Sequence, residues 1–175
     1  LDKRGLHDKA QLVMHTDPKD PNGQDLSHIA DHLGLDERQI LFSTARVNLD
    51  KMGAFYHMAD VTVNISDAEG FGLATLESLS CGTPIIATMT GGLQEQIMGE
   101  DGPFGVPLFP SSKSIIGSQN VPYIYEDRLN KDHFISALSN MYDIGFDARY
   151  EMGQKGRKHI LKNYNFKTFQ ETILI

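Results

Sequence analysis

The sequence predicts an α/β fold in which a parallel sheet carries helices on both faces. Short apolar runs alternate with amphipathic segments of about ten residues, which is the pattern of βαβ units. The 175 residues, 40% of them hydrophobic, are enough for the core of one domain. A net charge of −7 argues against a nucleic-acid binder or a polybasic membrane module, because both need clustered positive charge. No nucleic-acid partner is therefore expected.

The first elements follow from periodicity and turn residues. Residues 10–15 and 40–42 predict short strands. Residues 25–33 predict a helix that Gly34 would end. Another helix is expected from Asp50 onward. The residues expected to face inward on these two helices are Leu26, Ile29, Ala30 and Leu33, then Met52, Phe55, Tyr56 and Ala59.

The next elements repeat the alternation. Residues 61–65 predict a β-branched strand and residues 70–80 a helix with Leu73, Leu76 and Leu79 in register. A break at 82–84 precedes a buried strand at 85–88, and the glycine pair at 91–92 leads into a short helix. Closing helices are expected at 131–142 and 148–163.

Residues 99–130 lack this regularity. Four of the seven prolines lie in this stretch, together with three glycines away from its ends, and no helical period is visible. The sequence therefore predicts an irregular insertion, with room for a small hairpin around residues 121–125.

Two glutamates, Glu69 and Glu77, bracket a glycine turn between a predicted strand and a predicted helix. Gly70 and Gly72 lack side chains, so backbone amides can approach a ligand closely. Amides at a helix N-terminus favour an anion such as a phosphate, whereas carboxylates favour sugar hydroxyls. On a continuous helix this spacing would separate the two glutamates by about 12 Å. The pattern is typical of a site for a ligand that carries both phosphates and sugars.

A purely structural interpretation of the same residues also exists. Glu69 would stabilise the helix N-terminus electrostatically, and Glu77 would lie on a solvated helix face. The turn does not complete a dinucleotide-binding fingerprint, because Thr75 stands where the third glycine would be, and the chain has no Walker A sequence. Spacing alone does not decide between the two interpretations.

The spaced motifs together resemble those of retaining GT-B glycosyltransferases, the group called glycosyltransferase family 4. The segment from Glu69 to Glu77 resembles the E-x7-E signature of that family. Three neighbouring segments resemble its "ADV" strand, its "EA-x-x-x-G-x-P" stretch and its "GG-x-x-E" turn: they are residues 59–63, 78–84 and 91–95. The resemblance spans residues 10–98 and implies a Rossmann-like parallel sheet with flanking helices, the C-terminal half of a GT-B fold.

The resemblance also implies roles for individual residues. Glu69 would be the catalytic residue, contacting the transferred sugar or stabilising charge near its reacting carbon. Glu77 would bind the ribose hydroxyls. Val47 would present backbone groups to the base, and the alternative is that Val47 only packs against its neighbours. The diphosphate and donor sugar would face Gly70, Phe71, Gly72 and Leu73.

The family pattern also indicates what lies elsewhere. Residues 1–175 would form the donor-binding domain without its first strand, and the N-terminal acceptor domain would be absent from this sequence. That domain would hold a glycan, lipid or other hydroxyl-bearing acceptor, and it is where peripheral membrane association could occur. No cofactor is expected beyond the nucleotide-sugar substrate. No metal site is expected either, since His28 and His32 have helical spacing but suggest no third ligand.

Two further expectations concern location and alternative functions. A single cysteine, Cys81, fits a reducing compartment, and no signal peptide is visible, so a cytoplasmic location is expected. The expected reaction is transfer of a glycosyl group, with retention, from a nucleotide-sugar to an acceptor hydroxyl. The alternatives are a nucleotide-sugar epimerase or phosphorylase on the same fold, or a non-catalytic partner domain of a glycosyltransferase.

Overall fold

The computed structural model describes residues 4–100 and 102–173. The chain divides into two compact units, Leu1–Asn48 and Leu49–Ile175. The first unit holds strand β1 (Leu12–Met14), helix α1 (Leu26–His32) and strand β2 (Ile40–Phe42), and its two strands pair in parallel with Leu12 opposite Ile40. The predicted order of strand, helix and strand is confirmed here.

Helix α1 has a defined beginning and end. The Asp25 carboxylate accepts a hydrogen bond of 2.9 Å from the amide of His28, which makes Asp25 the N-cap. Gly34 adopts φ +68° just beyond the helix, a conformation that favours glycine. Leu33, predicted to face inward, is 64% exposed. That expectation is wrong: Leu33 keeps a helical backbone as the C-cap, and its amide still bonds to the carbonyl oxygen of Ile29, but its side chain lies in solvent at the end of the helix.

The second unit contains the remaining elements. From residue 49 to residue 108 they are α2 (Leu49–Met58), β3 (Thr62–Asn64), α3 (Leu73–Ser80), β4 (Ile85–Thr88), α4 (Leu93–Ile97), β5 (Met98–Gly99), β6 (Gly102–Pro103) and β7 (Gly105–Leu108). Those that follow are β8 (Ser112–Ile116), β9 (Ile124–Arg128), α5 (Lys131–Asp143), α6 (Gly145–Asn163) and α7 (Phe166–Ile173).

Strands β3, β4 and β7 form a parallel sheet in that order. Successive side chains of β4 point to opposite faces, so Ile85 and Ala87 join one core cluster and Ile86 joins another. The first cluster includes Leu79 of α3 and Ile160 of α6, and the second includes residues of α5. The prediction of helices on both faces of a parallel sheet is therefore confirmed for this unit.

The expectation that residues 99–130 are irregular is wrong for most of that stretch. Strand β7 pairs with the central strand β4, and β8 and β9 form an antiparallel hairpin. The sequence does not predict β7, because Gly105 and Pro107 both disfavour strands. Pairing with β4 explains the glycine, since a Cβ at Gly105 would lie 1.8 Å from the carbonyl oxygen of Ile85. Pro107 is tolerated because β7 lies at the edge of the described sheet.

The helix boundaries also differ from the expectation. Helix α3 begins at Leu73 rather than at residue 70, and Leu73 is 64% exposed, so Leu73 does not share the inward face of Leu79. Helix α6 begins at residue 145 rather than 148, and α7 was not predicted. Among the described residues, no helix is both long enough and apolar enough to span a bilayer.

Two helical glycines lead to opposite stability predictions. A Cβ at Gly153 in α6 would lie 1.9 Å from the carbonyl oxygen of Gly82, and a backbone atom cannot move aside cheaply. A Cβ at Gly53 in α2 would make an ordinary 3.7 Å contact with Cys81 Sγ. We expect Gly153→Ala to lower the free energy of unfolding by about 2–3 kcal/mol. We expect Gly53→Ala to raise it by up to about 1 kcal/mol, because alanine favours the helix.

Urea unfolding followed by circular dichroism measures both changes. A Gly153→Ala variant as stable as the wild type would contradict the close approach of α6 to the turn at Gly82.

Candidate functional site

The candidate site lies in the loop between β3 and α3. The loop follows the carboxyl end of a parallel strand, where α/β proteins bind ligands. Gly72 is the N-cap of α3 with φ +84°, and a Cβ there would lie 2.3 Å from Cδ2 of Leu93. The backbone conformation therefore favours glycine at position 72, and a larger residue would also have to displace the Leu93 side chain of α4.

A second glycine pair fixes the other side of this loop. The amide of Gly92 donates a 2.8 Å hydrogen bond to the carbonyl oxygen of Gly70. A Cβ at Gly91, where φ is +49°, would lie 1.7 Å from the carbonyl oxygen of Glu69. The buried side chain of Gln96 donates a 2.6 Å hydrogen bond to the carbonyl oxygen of Phe71. The loop carbonyls are thus held by the 91–96 segment.

The amides at the start of α3 are available to a ligand. Within the described residues, the N–H groups of Leu73, Ala74 and Thr75 donate no hydrogen bond to another group. Free amides of this kind give a helix N-terminus its positive end. An anionic group could therefore be bound here by backbone amides, without a lysine or arginine.

Glu69 lies at one edge of this turn and is half-buried. Asn64, the last residue of β3, places its Nδ2 3.5 Å from Glu69 Oε2 and 3.3 Å from Thr75 Oγ1. The Asn64 Oδ1 accepts hydrogen bonds from the amide and hydroxyl of Ser66, at 3.1 Å and 2.8 Å. Asn64 therefore connects the strand, the loop and the helix around the Glu69 carboxylate.

Glu77 lies in α3, one turn beyond the free amides, and is exposed. The hydroxyl of Tyr56, from α2, donates a 2.7 Å hydrogen bond to Glu77 Oε2. Burial, and to a smaller extent this hydrogen bond, raises the pKa of Tyr56 above its usual value. Of the residues from Glu69 to Glu77, only 73–77 are helical. The separation of about 12 Å between the two glutamates, which was expected for a continuous helix, therefore does not apply.

The β8–β9 hairpin is attached to the same loop. Asp67 pairs with Arg128 through its carboxylate, and its carbonyl oxygen accepts a 2.8 Å hydrogen bond from the amide of Asp127. Arg128 also pairs with Glu126 at 2.8 Å and donates to Ser114 Oγ at 3.1 Å. The base of the hairpin therefore borders the loop that carries Glu69.

Arg128→Met should loosen the hairpin without unfolding the protein. The substitution leaves two carboxylates, Asp67 and Glu126, without their shared cation, while partly exposed ion pairs of this kind contribute only about 1 kcal/mol each. We expect amide hydrogen exchange across residues 112–128 to accelerate about fivefold.

The control variant, Lys113→Met, removes a 3.7 Å ion pair between an exposed lysine and Asp127 at the same hairpin. Equal exchange rates in the two variants would show that Arg128 does not hold the hairpin to the loop.

The structure brings most of the predicted site residues together. Glu69, Glu77 and the residues from Gly70 to Leu73 surround one turn. Phe71 is half-exposed, and its ring packs edge-on against that of Tyr164 with 6.0 Å between the ring centroids. Val47 belongs to the first unit, where it is half-buried after β2, and its assignment to the base stays a prediction.

Sequence reasoning did not assign roles to the residues that support the site. Asn64 ends a parallel strand, and that position could have suggested a polar role. Tyr56 was expected only to face inward, and Gln96 and Arg128 gave no local signal. Among residues 4–100 and 102–173, no group of three His, Cys, Asp or Glu side chains could hold a metal ion. Cys81 is free and half-buried, and burial raises the pKa of its thiol.

Comparison with known proteins reveals relatives over much of the chain. A D-inositol 3-phosphate glycosyltransferase of Paenarthrobacter aurescens (strain TC1) is 35% identical over 134 residues, which cover 77% of this chain and 27% of that relative. A protein of the same name from Arthrobacter sp. (strain FB24) is 33% identical over 103 residues, covering 59% of this chain and 23% of that relative. The chain thus spans about a quarter of the length of these relatives.

Solved structures agree on the fold. A sucrose-phosphate synthase from Thermosynechococcus elongatus superposes with a TM-score of 0.69 and 22% identity, over 94% of this chain and 37% of that one. A glycosyltransferase from Rickettsia africae superposes with a TM-score of 0.68 and 18% identity, over 94% and 38%. With the parallel strands of both units, these likenesses confirm the Rossmann-like α/β fold of GT-B glycosyltransferases.

The family is defined by sequence as well as by fold. The family model described as glycosyl transferases group 1 matches residues 1–106, more than half of the 175 residues. The chain belongs to the group 1 glycosyl transferases.

Proposed function

We propose that this chain supplies the donor-binding half of a retaining glycosyltransferase of family 4, which transfers a sugar from a nucleotide-sugar to an acceptor hydroxyl. The observation that carries the proposal is the turn between β3 and α3. Its free amides can bind the diphosphate, and Glu69 and Glu77 lie on either side of those amides. The β3–α3 loop and the first turns of α3 therefore offer partners for the transferred sugar, the diphosphate and the ribose.

Each part of the site has a separate role in this mechanism. Glu77 accepts hydrogen bonds from the ribose hydroxyls, and the backbone of residues 70–73 receives the diphosphate and the donor sugar. As the bond from the sugar C1 to the phosphate oxygen breaks, its electron pair moves to the diphosphate. The amides and the dipole of α3 stabilise that developing negative charge. Glu69 stabilises the positive charge that develops at C1.

The proposal extends to the partners of this half. The acceptor is a hydroxyl compound, which the names of the relatives support. Its hydroxyl oxygen attacks C1 on the face that the leaving group occupied, and its proton passes to the departing diphosphate oxygen. Helix α3 offers a diphosphate its free backbone amides and a partial positive charge, and we propose a reaction that needs no bound metal. The single cysteine fits a reducing compartment, and we propose a cytoplasmic location.

Titration calorimetry on the full-length protein tests the donor site. The probes are UDP, GDP and ADP with their glucose derivatives, and at least one should bind to the wild type. Glu77→Ala should weaken that binding, whereas Glu151→Ala, an equal charge change at an exposed position of α6, should not. Proton NMR of the product gives the anomeric configuration. Failure of every probe to bind, or a product of inverted configuration, would overturn the proposal.

A further inference from the structure

Tyr56 is the only described side chain that forms a hydrogen bond with Glu77. Its hydroxyl lies 2.7 Å from Glu77 Oε2, although the two residues belong to different helices, α2 and α3. The Glu77 side chain is exposed, and an exposed glutamate samples several rotamers unless a partner holds it. Tyr56 therefore restricts the orientation of a carboxylate that faces solvent.

The backbone of Tyr56 is itself fixed by buried hydroxyl groups. The Thr83 hydroxyl donates a 2.6 Å hydrogen bond to the Tyr56 carbonyl oxygen, and the Ser78 hydroxyl donates at 3.1 Å to the Thr83 carbonyl oxygen. Ser78 and Thr62 also join through their hydroxyls at 2.6 Å. These bonds connect the end of α2 to α3 and β3, so they fix the position of the backbone that carries the Tyr56 phenol.

The chemistry of the pair leaves a defined part of Glu77 free. A phenol has one proton to donate, and the raised pKa of Tyr56 keeps that proton in place at physiological pH. The donation occupies part of Oε2. The other oxygen, Oε1, keeps its lone pairs, and a carboxylate fixed in this way can accept bonds from two neighbouring hydroxyls.

We propose that Tyr56 is a positioning residue that orients Glu77 to accept hydrogen bonds from the vicinal hydroxyls of a ribose, and so makes the site selective for ribonucleotide donors over deoxyribonucleotides. The inference rests on the proposed donor site and adds a residue and a specificity to it. Tyr56 acts through Glu77 and need not touch the ligand.

The test compares two ligands that differ only in the ribose hydroxyls. Titration calorimetry on the full-length protein measures the Kd of UDP, GDP or ADP, whichever the wild type binds, and of its 2′,3′-dideoxy counterpart. We expect Tyr56→Phe to weaken ribonucleotide binding by about three- to tenfold, while binding of the dideoxy ligand stays unchanged. Tyr150→Phe, which removes a hydroxyl from an exposed tyrosine of α6, should change neither value.

A double-mutant cycle distinguishes positioning from a structural effect. In a Glu77→Gln background, Tyr56→Phe should cause no further loss of ribose discrimination, because the carboxylate that it orients is gone. Equal weakening of both ligands by Tyr56→Phe, or of neither, would overturn the inference while leaving the donor site intact. A wild type that binds ribo- and dideoxynucleotides equally would also overturn it. A wild type that binds no nucleotide would overturn the proposed function.

Discussion

Replacing Glu69 with glutamine is expected to lower kcat of the full-length enzyme by about 10²- to 10³-fold, with little change in the Kd of the nucleotide. Glutamine keeps the shape of the side chain, and its amide oxygen can still accept the hydrogen bond from Asn64 Nδ2. The substitution removes only the negative charge, which the proposed mechanism uses when positive charge develops at the sugar C1. The loss should therefore appear in the chemical step.

The matched variant is Glu77→Gln, an identical chemical change at the other end of the turn. It should raise KM for the nucleotide-sugar and affect kcat less, because the ribose is bound in both the ground state and the transition state. Steady-state kinetics with thermal melting as a folding check measures both variants. An unchanged kcat in Glu69→Gln would show that Glu69 has no role at the reacting carbon.

The accuracy of the predicted elements depended on whether local sequence agreed with the tertiary environment. Residues 85–88 form a strand with the predicted bounds, since a short apolar run follows Pro84 and all four side chains are buried. Strand β7 was missed because Gly105 and Pro107 disfavour strands, and its pairing partner β4 lies about twenty residues away along the chain. The structure of β7 comes from that pairing rather than from local propensity.

In the candidate site too, features within a few residues were predicted and contacts between distant residues were not. Gly70, Gly72 and the spacing of Glu69 and Glu77 indicated a ligand turn, because those features act within a few residues of one another. The hydrogen bond of Tyr56 to Glu77 joins two helices across 21 positions, and that of Gln96 to Phe71 spans 25. No periodicity or motif predicts such contacts, so the residues that orient the site could be identified only from the structure.

Gly91→Ala is expected to destabilise the protein and to abolish nucleotide binding together. The added Cβ would lie 1.7 Å from the carbonyl oxygen of Glu69, and φ +49° is itself costly for alanine. We expect a loss of about 3 kcal/mol in the free energy of unfolding and a Tm lower by about 6–12 °C. Relief of the clash requires the segment from Glu69 to Phe71 to move away from the 91–92 turn, and the amides and carboxylate of the site would move with it.

Two other alanine substitutions separate stability from binding. A Cβ at Gly70 would meet no atom within 4 Å, so Gly70→Ala should leave Tm unchanged but weaken binding of UDP, GDP or ADP by filling the proposed ligand turn. Gly53→Ala in α2 lies outside the turn, so it should leave nucleotide binding unchanged and raise the Tm slightly. Thermal melting and calorimetry on the three variants give the comparison. Wild-type binding by a folded Gly91→Ala variant would mean that the close packing of the 91–92 turn against Glu69 does not set the geometry of the donor site.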